Sequence, residues 1–247
     1  MQQPKQLIYI LPNLFTAGGI FSGMMSLIMS STGKFEEAAW LILLALIFDG
    51  LDGRVARMTN TTSKFGLEFD SLADIVSFGV APAMLLYQYC GLDYGRFGMV
   101  VSGLYVVFGA IRLARFNVTT MDIEPSVFIG VPIPTAAVFI SILILLYEKY
   151  SFTMHAPLLF FMLFTGVLMV SNIRYPSFKK IDLHKSNFIK VLVGLVVSAS
   201  LIFIYPIESL TLVIGGYLFF GFFRASLYFV KHLRKGQKKE HEKEKTD

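Results

Sequence analysis

The chain has 247 residues, of which 55% are hydrophobic and 16% charged, with a mean hydropathy of +0.63 and a formal net charge of +5. This composition excludes an ordinary soluble domain of this length, because the polar residues are too few to cover its surface. It predicts an all-α, polytopic transmembrane helical bundle forming one domain over residues 1–230, with its core at 8–180 and a charged tail at 231–247.

Eight apolar segments are candidates for membrane-spanning helices, which need about 20 residues each. In chain order they lie near 14–32, 36–57, 67–90, 96–116, 133–150, 156–172, 188–206 and 209–230. Eight spans place both termini on one side, and most Lys and Arg residues fall on that side. The opposite side has Lys34, Arg96 and Lys149. The positive-inside rule therefore predicts cytoplasmic termini, and the net charge needs no nucleic-acid partner.

The N-terminal segment and the single cysteine are both expected to be structural. The first apolar stretch contains Pro12 and Asn13 and shows no clear small-residue cleavage site, which favours a span over a signal peptide. Cys90 has no second cysteine to pair with, so an intramolecular disulfide is excluded. Because Cys90 lies in an apolar run, we expect it to serve packing.

Four aspartates stand where the second span ends and the third begins. Asp49 and Asp52 are three residues apart, and Asp70 and Asp74 are four apart, so each pair shares one helix face. The short connection at 58–65 predicts that the two helices are antiparallel neighbours. We therefore expect the two pairs to face each other at the cytoplasmic ends of the helices.

Four carboxylates this close require positive charge nearby, since burying them uncompensated costs about several kcal/mol each. An oxygen-only ligand set favours Mg²⁺, Mn²⁺ or Ca²⁺, and the absence of neighbouring His and Cys argues against zinc. Two such ions about 3.5–4 Å apart suit phosphoryl chemistry. Isolated aspartates at helix ends are common, but four at helical spacing with interleaved glycines are not explained in that way.

Small residues and one arginine accompany the aspartates. Gly53, Ala56 and Gly66 leave room for a bulky ligand close to the backbone. Arg57 is suited to bind phosphate through two parallel hydrogen bonds. Glu68 lies off the face shared by Asp70 and Asp74, and we expect it to be a surface carboxylate.

Residues 49–74 read D-x2-D-G-x2-A-R-x8-G-x3-D-x3-D, which resembles the signature of the CDP-alcohol phosphatidyltransferases at every fixed position. The resemblance implies that an acceptor hydroxyl displaces CMP from a CDP-linked lipid or alcohol. It implies that the four aspartates bind two divalent metals and that Asp74 is also the general base. The CDP-lipid site implied by the signature and by the family-like entry to the first span comprises Gly53, Ala56, Arg57, Gly66, Asn13 and Thr16.

Further segments resemble the membrane-integral phosphatidylserine synthase branch of that family. They are residues 77–82, 112–117, 130–134 and 171–179. The resemblance implies CDP-diacylglycerol as donor, L-serine as acceptor, a homodimer, and a bacterial cell membrane as the location, with the active site at its cytoplasmic face.

Serine carries a carboxylate, so its site needs a cation. Arg112 and Arg115 lie three apart at the end of the fourth span, and we expect at least one to bind the serine carboxylate or a substrate phosphate. Positive-inside topology with snorkelling side chains is the alternative explanation for both arginines. Asn117 and Ser77 are candidate polar contacts of the acceptor.

The sequence is also compatible with other functions. A sister reaction would use glycerol 3-phosphate or an inositol compound as acceptor. A cation transporter would place its carboxylates near the bilayer midplane on broken helices, whereas these lie toward one face. Direct attack by the acceptor and a phosphatidyl-enzyme intermediate both fit the same residues.

Overall fold

The computed structural model describes residues 4–119, 127–176 and 188–223. The helices are α1 Pro4–Ser31, α2 Phe35–Met58, α3 Lys64–Asp74, α4 Ala81–Tyr89, α5 Arg96–Thr119, α6 Ile133–Tyr150, α7 Ala156–Val170, α8 Phe188–Ile204 and α9 Pro206–Phe223. A π-helical turn, Ile75–Val80, joins α3 to α4, and a 3-10 turn, Gly91–Tyr94, precedes α5. The tail predicted at 231–247 lies outside the described residues.

Helices lie in the described part of each of the eight segments predicted from the apolar runs, and residues 224–230 of the last segment lie outside the described residues. Five of the described helical stretches are long and apolar enough to cross a membrane: Ile10–Ser31, Lys64–Tyr89, Arg96–Val118, Ile133–Tyr150 and Pro206–Phe223. Helix α2 carries charged residues along its second half, and α7 is short. The helical fold is therefore confirmed, whereas the number of eight crossings stays a prediction.

The described residues also include a small two-stranded antiparallel sheet that the sequence did not predict. Strands β1 Val127–Ile129 and β2 Arg174–Pro176 pair antiparallel, with Ile129 opposite Arg174. Gly130 follows β1 with a φ of +73°, and its N–H donates to the Ile173 carbonyl at 2.8 Å. A Cβ at Gly130 would lie 2.3 Å from the Met169 carbonyl oxygen, so only glycine fits this approach to the end of α7.

The core lies around α6, whose residues 133–145 are almost all buried. A helix that is apolar on every side packs on all sides, and α6 contacts α2, α4 and α7. Helix α1 lies across α2, α3 and α4, while α5 packs against α7. The side chains described for α8 are exposed.

The start of α3 and the π-helical turn fix the backbone on either side of Asp70 and Asp74. The Ser63 hydroxyl accepts a hydrogen bond from the Gly66 N–H at 3.0 Å and so caps α3. In the π-helical turn, the Ser77 hydroxyl donates to the Gly19 carbonyl of α1 at 2.9 Å. A Cβ on Gly23 would lie 2.9 Å from the Ser77 Cα, so the two backbones are in near contact. Such π-helical turns are frequent at functional sites.

Candidate active site

The aspartates predicted from their spacing do meet in space, but not as one symmetrical group. Asp49, Asp70 and Asp74 each place a carboxylate oxygen within 4.8 Å of the others. Asp52 lies outside this trio and lines the same cavity. Asp52 and Asp74 are buried, while Asp49 and Asp70 are partly exposed. The structure thus divides the set into a trio and a separate fourth carboxylate.

Helix α1 connects the two helices that carry the aspartates. We expected α2 and α3 to be direct neighbours, and this was wrong in detail: they make little backbone contact, and both pack against α1. Thr16 of α1 donates a hydrogen bond to Asp52 Oδ2 at 2.7 Å. Because α1 holds α2 and α3 apart, a space remains between their carboxylates.

This space is a cavity of about 180 Å³, including its open mouth. It is lined by Thr16, Gly19, Ala45, Asp49, Asp52, Asp70, Ala73, Asp74, Ser77 and Phe78. Much of this volume is the open mouth, so the enclosed part is small and takes only small groups. A lipid-sized substrate would lie outside it, since pockets that enclose a drug-sized molecule measure about 300–1,000 Å³.

The donor set of the cavity fits divalent cations. Among the residues that the structure describes, the charged ones that line it are all carboxylates, and neither His nor Cys lines it. Hard cations such as Mg²⁺, Mn²⁺ and Ca²⁺ prefer oxygen ligands. The close approach of three carboxylate oxygens would be strongly repulsive without a cation between them.

The residues expected to form a CDP-lipid site fall into two groups. The guanidinium of Arg57 lies over Gly53, with Nη1 3.5 Å from the position of a Cβ there. The side-chain oxygen Oδ1 of Asn13 lies 3.6 Å from the corresponding position at Gly66. Ala56 is half-buried between Gly53 and the end of α2. A Cβ at either glycine would be in ordinary van der Waals contact with these polar groups, and only the Ser63 hydroxyl, 3.2 Å from the Cβ position at Gly66, would be crowded.

Arg112 is buried beside the carboxylates. Only 7% of its surface is exposed, and its guanidinium lies 5.4 Å from the centre of the Phe116 ring. Arg112 interacts electrostatically with Asp74, and its Nε has no hydrogen-bond partner among the described residues. A buried, incompletely bonded cation within electrostatic range of a carboxylate is not the arrangement of a side chain that snorkels to the membrane surface.

Arg115 is bound to the protein itself. Its guanidinium donates to five acceptors at 3.0–3.4 Å: the carbonyl oxygens of Val170, Met169, Ser171 and Ile129 and the side-chain oxygen of Asn172. These acceptors belong to the end of α7, the following segment and β1. Arg115 therefore joins two of the sequence segments that share the family resemblance, 112–117 and 171–179, and also bonds the residue that precedes 130–134.

The remaining predicted acceptor contacts have partners within the protein. Asn117 Nδ2 donates to the Ser71 hydroxyl at 3.0 Å and so attaches the end of α5 to α3, next to Asp70. Ser77 lines the cavity while donating to Gly19. Glu68, as expected, is exposed.

Sequence reasoning missed two features of the site. The first is the link between Thr16 and Asp52, since Thr16 was assigned to the lipid nucleotide. The second is the small lining residues, of which Ala45 lies four residues before Asp49 and Ala73 three residues after Asp70. Their spacing on the aspartate faces is the signal that would have found them.

The chain is similar to proteins of one family. The family profile named CDP-alcohol phosphatidyltransferase matches residues 9–173. A CDP-diacylglycerol–serine O-phosphatidyltransferase of Helicobacter pylori is 52% identical over 231 residues, covering 92% of this chain and 96% of that protein. An archaetidylserine synthase of Methanothermobacter thermautotrophicus is 42% identical over 67% of this chain and 69% of its own length. A CDP-diacylglycerol–serine O-phosphatidyltransferase of Bacillus subtilis is 34% identical over 69% of this chain and 92% of its own length.

Proposed function

The chain belongs to the CDP-alcohol phosphatidyltransferase family, and we propose that it transfers the phosphatidyl group of CDP-diacylglycerol to the hydroxyl of L-serine, giving phosphatidylserine and CMP. The observation that carries the reaction class is the meeting of Asp49, Asp70 and Asp74 in a cavity that Asp52 also lines. This arrangement joins residues from both ends of the family signature.

The choice of serine as acceptor rests on the relatives and on one buried cation. The relatives named above differ in the lipid that their names specify but share serine. Arg112 supplies a desolvated positive charge next to the cavity, which a serine carboxylate or a substrate phosphate would pair with. Such charge-assisted hydrogen bonds are worth about 1.5–3 kcal/mol each.

Asp49, Asp52, Asp70 and Asp74 would hold two divalent cations, Mg²⁺ or Mn²⁺, with Ca²⁺ also fitting the donor set. When bound, these ions neutralise the pyrophosphate and the charge that develops on the departing CMP. The protein's part is to fix the four carboxylates on two helices, α2 and α3, that both pack against α1, which keeps their geometry constant during the reaction.

Asp74 is the residue that we assign as general base. It is buried at the inner end of α3, belongs to the trio and faces Arg112. A carboxylate within hydrogen-bond reach of the serine hydroxyl accepts its proton as the oxygen attacks phosphorus. Arg112 would orient the serine so that this hydroxyl, rather than the amino group, points to Asp74.

The remaining CDP-lipid contacts lie along the end of α2 and its neighbours. Arg57, which lies over Gly53, would bind a phosphate of the CDP group. Asn13 and Gly66, which are neighbours, would form a second part of the same site. Arg115 would act indirectly, since its donors are engaged by the end of α7. It would hold α5 in the position that points Arg112 at the cavity.

We place the protein in a cell membrane as a multi-pass homodimer whose active site opens at the cytoplasmic face. The distribution of Lys and Arg supports this orientation, since the sequence on the opposite side carries few of either. Acyl chains would then remain in lipid while the CDP head enters the cavity.

The test of the proposed function is CMP release by the purified protein with CDP-diacylglycerol and Mg²⁺ or Mn²⁺, measured against a panel of acceptors. We expect release with L-serine and not with glycerol 3-phosphate or inositol compounds. CMP release with glycerol 3-phosphate and not with serine would overturn the acceptor assignment but not the family assignment. Release that persists after removal of divalent cations by EDTA would contradict the metal assignment.

A further inference from the structure

We propose that Thr16 is a positioning residue that holds the Asp52 carboxylate for a second divalent cation and thereby makes the two cation positions unequal. The proposal rests on the proposed function in one respect, the use of two divalent cations. It goes beyond that function by assigning a role to a hydroxyl on α1 and a difference between the two positions.

The hydrogen bond between Thr16 and Asp52 is short and enclosed. Thr16 Oγ1 lies 2.7 Å from Asp52 Oδ2, and the two residues are 4% and 6% exposed. The same hydroxyl lies 3.2 Å from the Pro12 carbonyl, one helical turn earlier. Because the hydroxyl has one proton, the shorter contact to the charged acceptor takes it.

Asp52 differs from the other three carboxylates in what surrounds it. Asp49, Asp70 and Asp74 have one another within 4.8 Å, so a single cation would be shared by all three. Asp52 is bonded instead to Thr16 and to the backbone N–H of Gly53. A cation at the trio receives three charged ligands, whereas a cation on the Asp52 side depends on a carboxylate whose direction Thr16 sets.

Packing alone does not account for a hydroxyl at this position. Valine has the same shape as threonine and would fill the same space between α1 and α2, but it cannot donate to Asp52. Groups that orient metal ligands in this way typically change metal affinity by about 10- to 100-fold when removed. The expected effect falls on one cation position, because Thr16 contacts Asp52 and none of the trio's carboxylates in the described hydrogen bonds.

The experiment is a Mn²⁺ titration of the purified full-length protein, followed by the electron paramagnetic resonance signal of free Mn²⁺, with no substrate present. The variants are Thr16→Val, Thr16→Ser and Asp52→Asn. Thr165→Val is the matched control, because Thr165 is also buried but donates to carbonyl oxygens within α7. The readout is metal binding and does not depend on turnover.

We expect two classes of Mn²⁺ site in the wild-type protein and in Thr165→Val. Thr16→Val should weaken the weaker class by about 10- to 100-fold and leave the tighter class within about twofold. Thr16→Ser, which keeps the hydroxyl, should restore the wild-type titration. If Thr16→Val fails to fold, loss of only the weaker class in Asp52→Asn and unchanged binding in Thr16→Ser still support the assignment.

Other results would overturn the proposal. A Thr16→Val titration that superimposes on wild type, combined with a raised KM for CDP-diacylglycerol, would make Thr16 a lipid-nucleotide contact. Equal weakening of both classes would mean that Thr16 stabilises the whole site. Absence of Mn²⁺ binding in the wild type would overturn this proposal together with the metal assignment, whereas two Mn²⁺ sites without serine turnover would overturn only the proposed acceptor.

Discussion

The two ends of the helical bundle differ in the kind of side chain that they bury. At the end where α2 and α3 carry the aspartates, polar and charged groups are buried: Thr16, Asp52, Asp74, Ser77 and Arg112. At the other end, the helix ends and turns meet through aromatic rings: Phe35, Tyr89, Tyr147, Phe152 and His155. We call these the carboxylate end and the aromatic end.

The aromatic end is closely packed. The rings of Phe35 and Tyr89 meet edge to face with centroids 5.1 Å apart, and Tyr89 lies 5.3 Å from His155. Cys90 beside them is buried, as expected of a packing residue. This end holds the helices together with ordinary apolar and aromatic contacts.

The carboxylate end instead buries charged and polar side chains. Burying Asp74 and Arg112 costs desolvation energy that their mutual attraction offsets only in part. The comparison leads to a simple expectation: substitutions at the carboxylate end change rate or affinity most, and substitutions at the aromatic end change stability and leave the reaction intact. The following predictions test this division, from the largest effect to the smallest.

The largest effect is expected from Asp74→Asn. The variant loses both a proton acceptor and a charged cation ligand, and loss of a general base alone costs about 10²- to 10⁴-fold. We expect kcat with serine to fall by at least about 10³-fold while the thermal midpoint changes little. Glu68→Gln, on the exposed face of the same helix, is the control and should keep wild-type kcat. Near-normal turnover in Asp74→Asn would show that Asp74 is not the general base.

Arg112→Ala should act mainly on the acceptor. Loss of charge-assisted hydrogen bonds worth about 1.5–3 kcal/mol predicts a rise of roughly 10- to 100-fold in the apparent KM for serine. Initial rates at varied serine and saturating CDP-diacylglycerol measure it. The control is Arg96→Ala, an exposed arginine at the aromatic end. An unchanged KM for serine in Arg112→Ala would rule out acceptor binding by this residue, while a raised KM for CDP-diacylglycerol alone would assign it to a phosphate.

Gly130→Ala tests the junction that supports the carboxylate end. The added Cβ would lie 2.3 Å from the Met169 carbonyl oxygen, and Gly130 has a φ of +73°, which alanine rarely adopts. The segment after β1 must therefore shift away from α7. We expect a stability loss of about 1–3 kcal/mol, measured by thermal unfolding in detergent, with reduced activity. Gly103→Ala is the matched control because nothing lies within 4 Å of its Cβ position, and it should be neutral or slightly stabilising. Equal behaviour of the two variants would contradict the crowding at Gly130.

The smallest effect is expected from Tyr89→Leu at the aromatic end. Two ring contacts are lost, each worth about 0.5–1.5 kcal/mol, while an apolar side chain remains. The thermal midpoint should fall by a few degrees, and kcat/KM measured below that midpoint should stay at the wild-type value. A loss of kcat/KM in a folded Tyr89→Leu protein would show that the two ends are coupled and not independent.

Several parts of the carboxylate end followed from the sequence by local rules. Helical periodicity fixes which residues share a face, so Asp70 and Asp74 were expected together, and the short connection at 58–65 brought Asp49 near them. The prediction that α2 and α3 pack directly was wrong because it ignored α1, which contacts both. Nothing in the spacing of the aspartates encodes a third helix.

The two arginines show the same limit. Arg112 and Arg115 lie three residues apart on α5, and the prediction was that at least one of them binds substrate, without telling which. In the structure, Arg112 is buried within electrostatic range of Asp74, while Arg115 donates to carbonyl oxygens more than 50 positions away in the chain, at the end of α7. Which of the two faces the cavity depends on where α7 ends, and that is a property of the packed bundle.

By itself, the sequence determined the helical class, the helical positions and the four carboxylates, because hydropathy and helical spacing act within a few turns of one segment. The tertiary structure alone decided that three carboxylates form a trio and that Thr16 donates to the fourth. It also decided that Arg115 joins strand β1 to the end of α7. These features join residues far apart in the chain, and such contacts depend on which helices pack together rather than on any local pattern.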